Sequence, residues 1–187
     1  MLQSLIAAAG HDGYPARIVA LGVDRDCDAA RRAESAEIPH FRVALSDHAD
    51  RDSWDAALTD AVAKHEPDLV VTAGFMKILG PKFLDAFAGR IVNTHPALLP
   101  SFPGARAVED ALAYGVKLTG STVHLVDGGV DTGPILAQEA VPVLGDDDRE
   151  SLHERIKTVE RRLLVDVIAA VATRGVVSDG RKAQIQP

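Results

Sequence analysis

Short, continuous apolar runs alternate along this chain with longer stretches in which apolar residues return every three or four positions. A short run bounded by turn-forming residues reads as a strand buried on both faces, and the longer period reads as an amphipathic helix. Arg17 to Val23, Asp68 to Ala73 and Arg90 to Thr94 are expected strands, with Thr119 to Val126 and Ile135 to Val143 following. Trp54, Leu58, Ala61 and Val62 lie at helical spacing. Leu152, Ile156, Val159, Leu163, Val167 and Val171 draw one long apolar stripe, ended by Gly175. This alternation predicts an α/β fold, a Rossmann-like, mostly parallel twisted sheet flanked by helices, with 1–187 as a single domain. The tail from Ser178 to Pro187 either adds an edge strand or frays. Met1 to Ala9 reads as a helix with no strand before it, although the first helix of such a sheet normally crosses over from one.

Composition narrows the function. A length of 187 residues suits one hydrophobic core. Twenty Lys plus Arg against 27 Asp plus Glu leave a formal charge of −7, which repels a phosphate backbone, so nucleic acid is not an expected partner. No apolar run approaches the roughly 20 residues that cross a bilayer, and no secretory signal pattern opens the chain, so no membrane partner is expected. One cysteine, Cys27, allows no internal disulfide and points to a reducing, cytoplasmic setting.

Chemistry-bearing residues gather where strands end, the place where open α/β sheets bind ligands. Asn93-Thr94-His95-Pro96 closes one strand, and alternation puts Asn93 and His95 on one side. An amide donor beside an imidazole, which titrates near neutrality, suits oxyanion stabilisation and proton transfer. Val126 to Pro134 is a turn-rich loop carrying Asp131, which either forms an Asx turn or orients an imidazole and a relay water. Met76, Ile78 and Leu79 follow another strand and either enter the core or line a slot for a flat heteroaromatic ligand. His124 lies in a β run and reads as a satisfied core histidine. Lys157 and Glu160, three apart on the last helix, read as an intrahelical ion pair. No nucleophile elbow, dinucleotide fingerprint or phosphate loop is present.

Residues 73–79 (AGFMKIL), 93–100 (NTHPALLP), 120–124 (GSTVH) and 131–136 (DTGPIL) together resemble the phosphoribosylglycinamide formyltransferase family of folate-dependent enzymes, in order and in spacing, from Pro15 to about Gly175. The resemblance implies formyl transfer from 10-formyltetrahydrofolate to the amine of glycinamide ribonucleotide, with no metal. It implies Asn93, His95 and Asp131 as catalytic residues. It places the folate against Arg51, Met76, Lys77, Ile78, Leu79 and the loop Val126, Asp127, Gly128, Gly129, Val130 and Asp131. Asn93, Lys157 and Glu160 are implied on the ribonucleotide side, and a homodimer is compatible with the family. Two departures stand out. Lys77 replaces a frequent Arg and so lacks a planar fork, and Ala105 to Val108 replace a His-containing stretch.

The family also begins with a buried strand and a Gly/Ser-rich phosphate loop ahead of the helix resembling Met1 to Ala9, so the expectation is a natural chain starting upstream. Formyltetrahydrofolate deformylase is the nearer rival, because Gly104-Ala105-Arg106 resembles its loop. A folate-binding domain without turnover is the other. Methionyl-tRNA formyltransferase is disfavoured by the acidic charge and short length.

Overall fold

The computed structural model describes residues 1–186. Helix α1 (Leu2–Ala9) is followed by β1 (Leu21–Val23), α2 (Asp28–Ser35), β2 (His40–Arg42) and α3 (Arg51–Ala63). Then come β3 (Val70–Thr72), α4 (Pro81–Ala86), β4 (Ile91–His95), α5 (Ala107–Tyr114), β5 (Leu118–Leu125) and β6 (Ile135–Pro142). The long α6 (Arg149–Arg174) precedes β7 (Val176–Asp179) and β8 (Lys182–Ile185).

The expected α/β architecture is present, but the sheet is mixed rather than mostly parallel. β1 and β2 form a separate parallel pair, and six strands run in the order β3-β4-β5-β6-β8-β7. β3 and β4 are parallel, whereas β4, β5 and β6 are successively antiparallel. The departure lies at β5, antiparallel to both neighbours: a nine-residue loop with no crossover helix joins it to β6, which a parallel pair does not permit, and it runs against β4 even though α5 lies in the connection between them. The expected strand from Arg17 is paired only from Leu21, where the β1–β2 ladder begins. The tail is ordered as an antiparallel hairpin, β7 to β8, turning at Gly180 in the left-handed region (φ 56°); Pro187 lies outside the described residues.

β4 is covered on both faces, which is why its sequence reads as a continuous apolar run. Val92, with Val123 and Leu125 of β5, packs under Leu164, Val167, Ile168 and Val171 of α6. Ile91 faces the opposite way, onto Trp54, Leu58, Phe83 and Phe87 of α3 and α4. Asp148 caps α6 by accepting from the Ser151 N–H (2.8 Å) in a capping box. Among the described residues no helix is long and apolar enough to cross a membrane.

Candidate active site

Alternation along β4 sends Asn93 and His95 to one face and Thr94 to the other. His95 is buried (4% exposed) with both ring nitrogens engaged. Nδ1 lies 3.3 Å from Asp131 Oδ2, and Nε2 lies 2.8 Å from the carbonyl oxygen of Phe102. Both neighbours are acceptors only, so this is the arrangement of a ring carrying two protons.

Asp131 reaches the imidazole because its backbone is left-handed (φ 53°), a conformation Asp tolerates, and because its loop folds tightly against β5. A Cβ on Gly133 would lie 1.8 Å from the Leu125 carbonyl oxygen, so the return of the loop requires glycine there. The Asx turn falls at Asp127, whose Oδ1 accepts from the Gly129 N–H (3.0 Å) and the Thr132 hydroxyl (2.6 Å). Asp131 is thereby left free for the site, and its Oδ2 also accepts from the Gly104 N–H at 2.7 Å. Its carboxyl is pulled down to about 2, first by the adjacent His124 ring, against burial, with the Gly104 N–H and the charge of His95 adding to the effect. The pull from His124 exists to the extent that its Nε2 carries a proton.

His124 and Thr72 are functional neighbours that sequence reasoning missed. Regular antiparallel pairing of β5 with β4 sets His124 directly opposite Asn93, while the shift in the β5–β6 ladder after Val123 leaves Leu136 of β6 as the extra residue. The buried His124 presents Nε2 to Asn93 Nδ2 at 3.2 Å and to Asp131 Oδ1 at 3.6 Å. Thr72, at the end of β3, donates to Asn93 Oδ1 at 2.8 Å. Pairing of Thr72 with Asn93 and of Asn93 with His124 across the sheet brings the three together. The sequence carried no signal of this, because only the register puts all three on the side of the sheet facing Asp131.

The expected folate loop stands clear of the core at its tip, where Met76 (61%) and Ile78 (64%) are exposed, while Leu79 is half-buried. It rests on α3. Arg51 donates to the Ile78 carbonyl at 2.6 Å, Trp54 stacks on Phe75, and Lys77 lies 3.8 Å from Asp24. Val126 is half-buried, and Asp127, Gly128, Gly129 and Val130 are exposed in the neighbouring loop.

The expected Lys157–Glu160 ion pair is not formed. Lys157 pairs with Glu154 at 2.7 Å, and Glu160 turns inward beneath β4, where it accepts from the Thr94 hydroxyl at 2.7 Å. Helical geometry explains the split, since Glu160 shares the buried stripe with Ile156 and Leu164 whereas Glu154 lies toward solvent. Burial raises the Glu160 carboxyl, opposed by Thr94 and nearby positive groups. In place of the His-containing stretch, Gly104 supplies a backbone N–H to Asp131 and Ala107 opens α5.

The family described as formyl transferase matches residues 1–168. A phosphoribosylglycinamide formyltransferase of Mycobacterium tuberculosis is 66% identical over 183 residues, covering 98% of this chain and 85% of its own. A crystal structure of glycinamide ribonucleotide transformylase 1 from Symbiobacterium toebii superimposes with a TM-score of 0.96 at 38% identity, covering 100% of this chain and 88% of that one. A formyltetrahydrofolate deformylase from Pseudomonas syringae superimposes with a TM-score of 0.92 at 29% identity, with 62% of its chain covered.

Proposed function

This chain belongs to the formyl transferase family and transfers the formyl group of 10-formyltetrahydrofolate to the amine of glycinamide ribonucleotide in purine biosynthesis; from that premise we propose that Asn93, His95 and Asp131 carry the transfer. In the reaction the amine nitrogen bonds to the formyl carbon and the bond from that carbon to the folate nitrogen breaks. One proton leaves the amine, and one joins the departing nitrogen.

The residues divide this work by their chemistry. Asn93 uses one amide N–H on His124 and none on Thr72, so its second N–H is available to the oxygen that becomes negative. His95 offers Nε2–H to the same oxygen in place of the Phe102 carbonyl, and is the general acid toward the departing nitrogen. Asp131 holds the ring by Nδ1, keeps its positive charge balanced, and organises the water that takes the amine proton.

The folate side fits the exposed loops. Met76 and Ile78 offer apolar contact to a flat ring, with Lys77 and Leu79 flanking them. Val126, Asp127, Gly128, Gly129, Val130 and Asp131 border it with backbone donors and acceptors, and Arg51 lies beneath. On the ribonucleotide side, Glu160 keeps Oε2 without a hydrogen bond to the described residues, so that oxygen can accept from a sugar hydroxyl. Lys157 supplies positive charge one turn away.

The observation that carries the reading is the convergence of an amide, an imidazole and an ionised carboxylate, linked by contacts of 3.2–3.6 Å through His95 and His124. Assay of the purified chain with both substrates is expected to give formylated ribonucleotide, and His95→Ala to lower the rate about 10²-fold or more. Formate release independent of the amine would replace this reading with hydrolysis. Folate binding without transfer would leave a binding domain.

A further inference from the structure

We propose that Thr72 and His124 are positioning residues that choose which end of the Asn93 amide faces the reacting oxygen. The inference rests on Asn93 as the donor to that oxygen. An asparagine amide has two nearly isosteric orientations, and only its hydrogen-bond partners distinguish them. Here the partners form a directed chain. His124 Nδ1 lies 2.8 Å from the Leu125 carbonyl oxygen, which only accepts, so Nδ1 carries the proton. The neutral ring then has a bare Nε2, an acceptor, and the Asn93 atom 3.2 Å away must be the NH₂ nitrogen. At the other end the Thr72 hydroxyl oxygen lies 2.8 Å from Asn93 Oδ1 and 3.3 Å from the Val92 carbonyl oxygen, so its single proton goes to the nearer acceptor, Oδ1. Both contacts favour the same orientation.

The reversed amide would put Oδ1 against the bare Nε2, two acceptors facing each other inside the protein, where an unmade hydrogen bond is most costly. It would also present a carbonyl where the free N–H belongs, so repulsion would replace stabilisation of the developing charge. Asp131 Oδ1, 3.6 Å from Nε2, lies beyond hydrogen-bond length of the neutral ring; it is the ring with a proton on Nε2 that draws this carboxyl down.

Thr72→Val keeps the shape of a half-buried side chain and removes only the hydroxyl. It is expected to lower kcat about tenfold with KM for both substrates within about twofold, and Thr72→Ser to restore the rate. His124→Leu is expected to lower kcat at least as much. On an Asn93→Ala background Thr72→Val is expected to cost less than about twofold, since there is no amide left to orient. Ring-nitrogen NMR of the unmodified protein should show His124 as the Nδ1–H tautomer, a readout independent of whether the His124 variant folds. Wild-type kcat in Thr72→Val, equal losses with and without Asn93, or an Nε2–H tautomer would each overturn the proposal. A wild-type rate in Asn93→Ala would instead overturn the role given to Asn93.

Discussion

The carboxylate of Asp55 fills the space that a Cβ on Gly80 would need, with Asp55 Cγ 2.3 Å from that position. Reaching across from α3, Asp55 accepts from the backbone N–H groups of Lys82 (2.9 Å) and Phe83 (3.3 Å), which have no partner within α4. It therefore caps a helix in which it takes no part and anchors the end of the loop carrying Met76 to Leu79. Gly80→Ala should displace Asp55, cost about 2 kcal/mol, and raise KM for the folate more than it lowers kcat. Thermal unfolding and steady-state kinetics check both, and an unchanged Tm would contradict the account.

Glu160 sets stability against function. Its carboxyl is raised by burial, so the folded state holds its proton to higher pH than the unfolded chain does. Stability is accordingly greatest below the unfolded value of 4.5 and declines as pH rises through the folded value, leaving a penalty at neutrality. Glu160→Gln keeps an acceptor for Thr94 and loses the charge. It is expected to gain about 1 kcal/mol at neutral pH, a few degrees in Tm, while KM for the ribonucleotide rises.

Asp131 has the opposite sign. With its carboxyl depressed from 3.8 to about 2, its contribution to stability is complete above 3.8 and is lost as pH falls through 2. Asp131→Asn should flatten the acid limb of the stability curve in that window, and should lower kcat about 10²-fold at neutral pH by removing the partner of His95. Unfolding midpoints measured from pH 5 downward test the first part. An acid limb as steep as in the unmodified protein would show that the depression is absent.

Met76 and Ile78 are too exposed to hold the fold together. The double change Met76→Ser and Ile78→Ser should leave Tm within about 1 °C yet raise KM for the folate about tenfold or more, reflecting lost apolar contact with the bound ring. A KM unchanged within error would remove this loop from the folate site.

Much of the architecture is legible in the sequence. The stripe from Leu152 to Val171 became α6, and the apolar runs ahead of Asn93 and Thr72 became β4 and β3. The sense of β5 was not legible, because an apolar strand looks alike whether its neighbour runs parallel or antiparallel. The short loop to β6 requires an antiparallel pair there, but the helix-bearing connection from β4 permits either sense, so only the folded sheet decides. The ion pair between Lys157 and Glu160 was misread for a related reason. Spacing of three made them neighbours, but Glu160 lies on the side of α6 that Thr94 faces. Whether Asp131 forms an Asx turn or reaches an imidazole was likewise open, and in the fold the turn falls to Asp127 instead.

Periodicity and motif order, properties of the chain read locally, were sufficient for the fold class, for the family, and for Asn93, His95 and Asp131 as candidates. Folding settled the partnerships, because a hydrogen bond depends on where two distant segments are brought to rest. Residues 72, 93 and 124 come from three different strands, and their meeting depends on strand order and on the registers that pair Thr72 with Asn93 and Asn93 with His124. A buried histidine in a β run carries no mark of what it will face. That is why His124 reads as core in the linear chain and as the partner of the Asn93 amide in the folded molecule.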